Sequence, residues 1–212
     1  MFSKIIEGRW EFHELVTRGF FGKKNKNERI PPGQYLENRF PVLSAEPTPK
    51  IDIENWTLSI SYRSTDLAEI SWEELKSLPE KEITQDIHCV TRWSKLDMKW
   101  KGVQISSILK ELKIDPPSEW TMIGSSTGYT TNVPLSDLMM ENTIVSYSYE
   151  DETISPEHGG PIRLIVPHLY FWKSAKWLNR IDFIDNDKPG FWENYGYHMY
   201  GDPWKEQRYS GQ

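Results

Sequence analysis

From Trp56 the chain alternates apolar and polar residues at every step, Trp56-Thr57-Leu58-Ser59-Ile60-Ser61-Tyr62. That period of two predicts a half-buried strand. Further strands are predicted over residues 83–90, 120–124, 143–149, 161–166 and 176–184. Ser71, followed three residues later by Glu74, spells a capping box and predicts a short helix over 71–78. Val103, Ile105, Ile108, Leu109 and Leu112 share one helical face, predicting a helix over 103–112, and a short one is expected over 135–140. Ser125 to Gly128 reads as a turn. Strands outnumber helices without a regular βαβ rhythm, so the expected class is α+β, mixed β-sheets with short helices.

The flanks are patterned differently. Residues 1–30 are polar and weakly periodic and read as an N-terminal arm, closed by the helix-breaking Pro31-Pro32-Gly33. Residues 31–212 contain no repeat and no linker and are expected to form a single domain. The segment to Pro49 is proline-rich and must be held by the domain or a ligand to be ordered. After Gly190 come Trp192, Tyr195, Tyr197, Tyr200 and Trp204, a density of aromatics that predicts packing on a domain surface.

Composition narrows the partners. With 212 residues, ten Trp, ten Tyr and a net charge of −6, the chain is globular and a poor match for nucleic acid, which demands a basic surface. The basic stretch over 18–29 reads as a solvated arm. No apolar run reaches the ~18–20 residues of a membrane helix, and no export signal is evident at the N-terminus, so a cytoplasmic location and no membrane partner are expected.

One residue carries the candidate chemistry. Cys89 is the only cysteine, so it cannot form an internal disulfide, and its neighbours His88 and Arg92 could favour a thiolate. The five histidines, His13, His88, His158, His168 and His198, are too scattered for a zinc site. His88 is poorly placed to activate Cys89, because adjacent strand residues point to opposite faces. Elsewhere, His158-Gly159-Gly160-Pro161-Ile162-Arg163 offers donors to an anionic ligand beside two glycines that permit close backbone approach. Lys173-Ser174-Ala175-Lys176 adds a hydroxyl and two cations suited to phosphate. Taken singly, each is also compatible with an inert thiol or an ordinary turn.

Together with Asn38-Arg39-Phe40-Pro41-Val42 and Cys89-Val90-Thr91-Arg92-Trp93-Ser94, these blocks resemble, in order and spacing, the sulfite-oxidase superfamily of molybdopterin-dependent oxidoreductases. The resemblance spans residues 38–178 and implies the sulfite-oxidase molybdopterin-binding catalytic fold. It implies molybdenum bound through Cys89, with cofactor contacts at Asn38, Pro41, Val42, Ser125, His158 and Arg163, and with phosphate near Ser174, Ala175 and Lys176. It aligns Tyr147 with an active-site tyrosine, and it gives Arg92 and Arg39 the role of attracting an anionic substrate. Glu37 stands where sulfite oxidases carry an arginine, and the Cys-Val-x-x-Trp-Ser run looks more like bacterial reducers of methionine sulfoxide.

The implied activity is two-electron oxygen-atom transfer on a small sulfite-like, S-oxide-like or N-oxide-like molecule. A separate electron carrier completes the cycle, and the enzyme is a monomer or weak homo-oligomer. A cofactor-binding module without turnover and a metal-free cysteine enzyme are the alternatives.

Overall fold

The computed structural model describes residues 26–211. The arm expected over residues 1–30, with its basic stretch, lies outside them except for a 3-10 turn at Lys26–Arg29. Residues from Pro31 onward form their own compact unit.

That unit contains two sheets. The first is built on β5 (Trp93–Gln104), which pairs with β4 (Lys81–His88) along one edge. Its other edge carries first β1 (Tyr35–Leu36), parallel, and then β8 (Ile144–Tyr149), antiparallel. Beyond β8 lie β9 (Glu152–Thr153) and β10 (Arg163–Ile165). The second sheet runs β3 (Thr65–Ser71), β2 (Thr57–Tyr62), β11 (Leu178–Ile184), β6 (Trp120–Ser125), β7 (Thr130–Pro134). Four short helices connect them: α1 (Trp72–Ser77), α2 (Ile105–Glu111), α3 (Leu135–Leu138) and α4 (Phe191–Asn194). Mixed sheets with few short helices match the expected class. The Ser71–Glu74 capping box forms as expected, each side chain accepting from the other residue's backbone N–H.

Three expectations are corrected. The helix expected from residue 103 begins at Ile105, because Val103 and Gln104 still pair with β8. The strand expected over 161–166 shortens to Arg163–Ile165, following a cis Gly160–Pro161 bond. Strands β3, β5, β7 and β9 had no counterpart among the predicted strands.

Two buried clusters divide the interior. The larger contains residues of both sheets, Leu58, Ile60, Ile123, Val145, Leu164 and Ile181 among them. The smaller gathers Ile87, Met98, Trp100, Ile144 and Ile165 from the first sheet, with Cys89 and Trp93. Along β10, Leu164 therefore faces the large cluster while Arg163 and Ile165 face the other way, as a period of two requires. No helix among the described residues is long and apolar enough to cross a membrane.

Candidate active site

Against the smaller cluster lies a cavity of about 340 Å³. Cys89 reaches it from the turn between β4 and β5, which closes through Arg92 N–H donating to Cys89 O at 3.0 Å. Arg92 takes the left-handed φ of 75° that this turn requires. Gln34 Nε2 donates to the same carbonyl at 3.0 Å, so the turn is held from outside as well. Cys89 is 8% exposed, and its Sγ accepts from Thr91 Oγ1 at 3.1 Å. Burial pushes the thiol up, and the Thr91 hydrogen bond only partly offsets this. His88 points elsewhere: its Nδ1 pairs with Ser94 Oγ at 2.8 Å, and burial holds the imidazole down at about 4.

Farther along the wall are two cations. Arg163 and Lys176 face each other across an isolated antiparallel bridge, which puts both side chains on one side. Arg163 is buried, donating from Nη1 to His158 O at 2.5 Å and from Nη2 to Ser174 O at 2.8 Å, while its Nε has no partner. Lys176 Nζ donates to Leu43 O at 2.8 Å and Glu157 O at 2.7 Å. Every one of these acceptors is a backbone carbonyl. Neither cation forms an ion pair among the described residues, so burial dominates both: Arg163 falls to about 9 and Lys176 to about 8, the latter lowered further by Arg163. Two adjacent, poorly compensated cations in an enclosed space are a site for an anion.

Around them, His158 lines the cavity with its Nδ1 buried and unpartnered. Its ring stacks on Phe40 at 3.8 Å between centroids, and Phe40 is wedged edge-on to Trp93 and Trp100. Ser174 Oγ accepts from Val166 N–H at 2.9 Å, which leaves its own proton for a ligand. The glycines act differently from expectation. A Cβ on Gly159 would lie 2.8 Å from Lys176 Cγ, and one on Gly160 would lie 1.8 Å from Ile154 O. The close approach they permit is that of the chain to itself, bringing His158 beside Lys176.

Of the expected site residues, Cys89, Pro41, Ser125, His158 and Arg163 line this cavity, together with Ser174, Ala175 and Lys176. Asn38, Val42, Arg92 and Tyr147 do not. Asn38 is exposed, and its carbonyl receives Lys95 Nζ at 2.8 Å. Val42 is 50% exposed. Arg92 turns into solvent because its left-handed backbone closes the turn, and Arg39 pairs with Glu37 at 3.5 Å, 89% exposed. Tyr147 belongs to the large cluster on the far face of β8, where its OH donates to Glu80 Oε2 at 2.7 Å and Lys76 Nζ sits 3.4 Å over its ring.

Sequence reasoning missed the aromatic side of the cavity. Tyr129, Trp172, Trp192 and Tyr197 all line it. Tyr129 OH donates to Trp172 O at 2.7 Å. Tyr197 stacks on Trp192 at 5.0 Å and meets Trp172 edge-on, lining the same cavity as Cys89. The available signal was the aromatic density after Gly190, of which Trp192 and Tyr197 line the cavity and Tyr200 packs on the large cluster, while Tyr195 and Trp204 are 72% and 49% exposed instead of packing down as expected.

That wall is pinned by a buried pair. Lys173 Nζ donates to Glu193 Oε1 at 2.6 Å, to Met199 O at 2.6 Å and to Asn132 Oδ1 at 2.7 Å. Glu193 Oε1 also accepts from Thr131 Oγ1 and Trp172 Nε1.

Comparison with known proteins places this geometry in context. Residues 45–192 match the model of the oxidoreductase molybdopterin binding domain. An uncharacterized oxidoreductase of Bacillus subtilis, YuiH, is 40% identical over 195 residues, covering 90% of this chain and 98% of that protein. The mitochondrial sulfite oxidase of Drosophila melanogaster is 27% identical, covering 77% of this chain but only 32% of that enzyme. The protein-methionine-sulfoxide reductase catalytic subunit MsrP of Campylobacter jejuni is 25% identical, covering 70% and 55%. Among solved structures, the sulfane dehydrogenase SoxCD of Paracoccus pantotrophus shares the fold with a TM-score of 0.57 at 19% identity, over 66% of this chain and 40% of that one.

Proposed function

From the premise that this chain belongs to the oxidoreductase molybdopterin-binding family of the sulfite-oxidase superfamily, we propose that it holds molybdenum–molybdopterin in the cavity through Cys89 and transfers an oxygen atom to or from a small uncharged S-oxide-type substrate.

The observation that carries this reading is the shared cavity itself. A solitary soft sulfur and two cations without carboxylate partners open into one space. A thiolate suits a soft or high-valent metal. The cations, with His158 and the Ser174 hydroxyl, suit a phosphate terminus. The cofactor, when bound, supplies two-electron redox chemistry and the exchangeable oxygen, and the protein supplies position and electrostatics.

What the chain's own residues do follows from their surroundings. The turn at Cys89 is braced by Gln34 and Thr91, which fixes the sulfur. Arg163 and Lys176 anchor the anionic end. Trp93, Trp172, Trp192 and Tyr197 exclude water beside the sulfur and present an uncharged surface. Neither Arg39 nor Arg92 reaches that surface, so an anion such as sulfite finds no added cation there. This favours a neutral S-oxide over sulfite. A thiolate enzyme without metal is disfavoured by His88, which is committed to Ser94. Electrons come from or go to a separate carrier.

The test is elemental analysis of protein made in a host that assembles the cofactor, with Cys89→Ser alongside. About one molybdenum per wild-type chain is expected, and less than a tenth of that in the variant. A wild type without molybdenum sinks the proposal. A dye-linked assay then compares neutral sulfoxides with sulfite, and efficient sulfite turnover would overturn the substrate preference.

A further inference from the structure

Among the described residues, the cavity lining contains one acidic residue, Glu46. Its Oε2 is shielded from solvent and has no hydrogen-bond partner. Lys176 reaches Leu43 O, three residues away, yet the carboxylate whose charge it feels is that of Glu157. Arg163 forms no pair with Glu46 either, bonding only to backbone carbonyls. Among the described residues, Glu46 thus lines the cavity without an ion pair to either cation, and its Oε2 has no partner. It precedes Pro47 and lies near Pro49, in a stretch those rings stiffen. An acceptor held this way is shaped for a ligand with N–H donors.

We infer that Glu46 reads the pterin ring of the cofactor, accepting hydrogen bonds from its 2-amino group and the adjacent ring N–H. That edge presents two parallel donors, the complement of a carboxylate's two oxygens, in the manner of a guanidinium fork. The assignment rests on the cofactor occupying this cavity, and it orients the cofactor there. The phosphate lies at Arg163 and Lys176, where like charge keeps it from Glu46, and the pterin head lies at Glu46. The residue's role is to select a 2-amino-4-oxo heterocycle and to slow its departure.

The experiment uses cofactor-loaded protein, wild type beside Glu46→Gln and Glu46→Ala. The readout is release of the pterin into filtrate, followed by the fluorescence of its oxidised form, together with the thermal midpoint of each emptied protein. Glu46→Gln replaces one acceptor by a donor facing a donor. It is expected to release the pterin at least tenfold faster, equivalent to about 1.4 kcal/mol, or to be purified folded and empty. Glu46→Ala is expected to behave likewise, with the emptied proteins melting as wild type does. Release at the wild-type rate overturns the inference. So does faster release with an equally lowered midpoint of the emptied protein, because that is a structural role. A wild type that carries no pterin refutes the reading of the cavity itself, an outcome distinct from a loaded wild type with indifferent variants.

Discussion

Replacing Lys173 by Met keeps most of the side chain's bulk and removes one buried charge. Lys173 and Glu193 have 0% of their side chains exposed and meet at 2.6 Å. In Lys173→Met the Glu193 carboxylate keeps Thr131 Oγ1 at 2.9 Å and Trp172 Nε1 at 2.8 Å but loses its only ion-pair partner among the described residues. Breaking such a pair from one side costs about 3–5 kcal/mol, chiefly because the remaining charge is stranded. Taking about 4 kcal/mol and a slope of about 2 kcal/mol per molar urea, the unfolding midpoint falls by about 2 M. Tryptophan fluorescence during urea titration measures it. Adding Glu193→Gln removes the stranded charge while keeping an acceptor for Thr131 and Trp172, so the double variant is expected to recover at least half of the loss. A single variant that loses less than about 1 kcal/mol, or a double variant as unstable as the sum of the singles, refutes the reasoning.

Lys176 makes ligand binding depend on pH. Burial and Arg163 hold it at about 8 in the free protein, and a bound phosphate favours its charged form, so binding takes up a proton. Affinity is expected to fall by up to about tenfold per pH unit above pH 8, measured by cofactor release between pH 7 and 9, with Lys176→Met removing the slope between pH 8 and 9, below the range in which Arg163 titrates. For the empty protein the sign is opposite. Its folded pKa lies below the unfolded value, so the contribution of Lys176 to stability rises with pH between about 8 and 10.5. Tyr147→Phe and Arg92→Ala are expected to leave turnover and molybdenum content within about twofold of wild type, since neither side chain lines the cavity; a tenfold loss in either would restore it to the site. Gly160→Ala drives a methyl against Ile154 O, and overpacking of that kind costs about 2–3 kcal/mol, or about 5–10 °C in thermal midpoint; calorimetry showing an unchanged midpoint would contradict the close approach.

Local signals were legible wherever one residue's chemistry dictated its neighbours. The alternation through Ile60 and the Ser71–Glu74 box both survive in the structure. The His158-to-Arg163 and Ser174-to-Lys176 blocks converge because Arg163 and Lys176 bridge directly, a pairing whose donors the sequence displays. What local pattern does not carry is facing. Tyr147 was assigned to the site, but the register of β8 shifts opposite Lys101 and Gly102. Val145 and Tyr147 enter the large cluster, whereas Tyr149 packs on Phe40 and Trp100. Strand β5 was missed because Lys95, Asp97, Lys99 and Lys101 make it read as surface, although they alternate with buried Met98 and Trp100. The aromatic wall comes from Tyr129, Trp172, Trp192 and Tyr197, on separate segments that only the fold brings together.

The position of Tyr197 in that wall also sets an order of events during synthesis. Phe40, Cys89, Arg163 and Lys176 all leave the ribosome before Trp192 and Tyr197 do. Until then the sulfur and both cations lack the part of the aromatic wall that Trp192 and Tyr197 supply. The Lys173–Glu193 latch cannot close until residue 193 has been made. In the folded protein neither side chain of that latch is exposed, so moving the tail away from the cavity means breaking a buried ion pair.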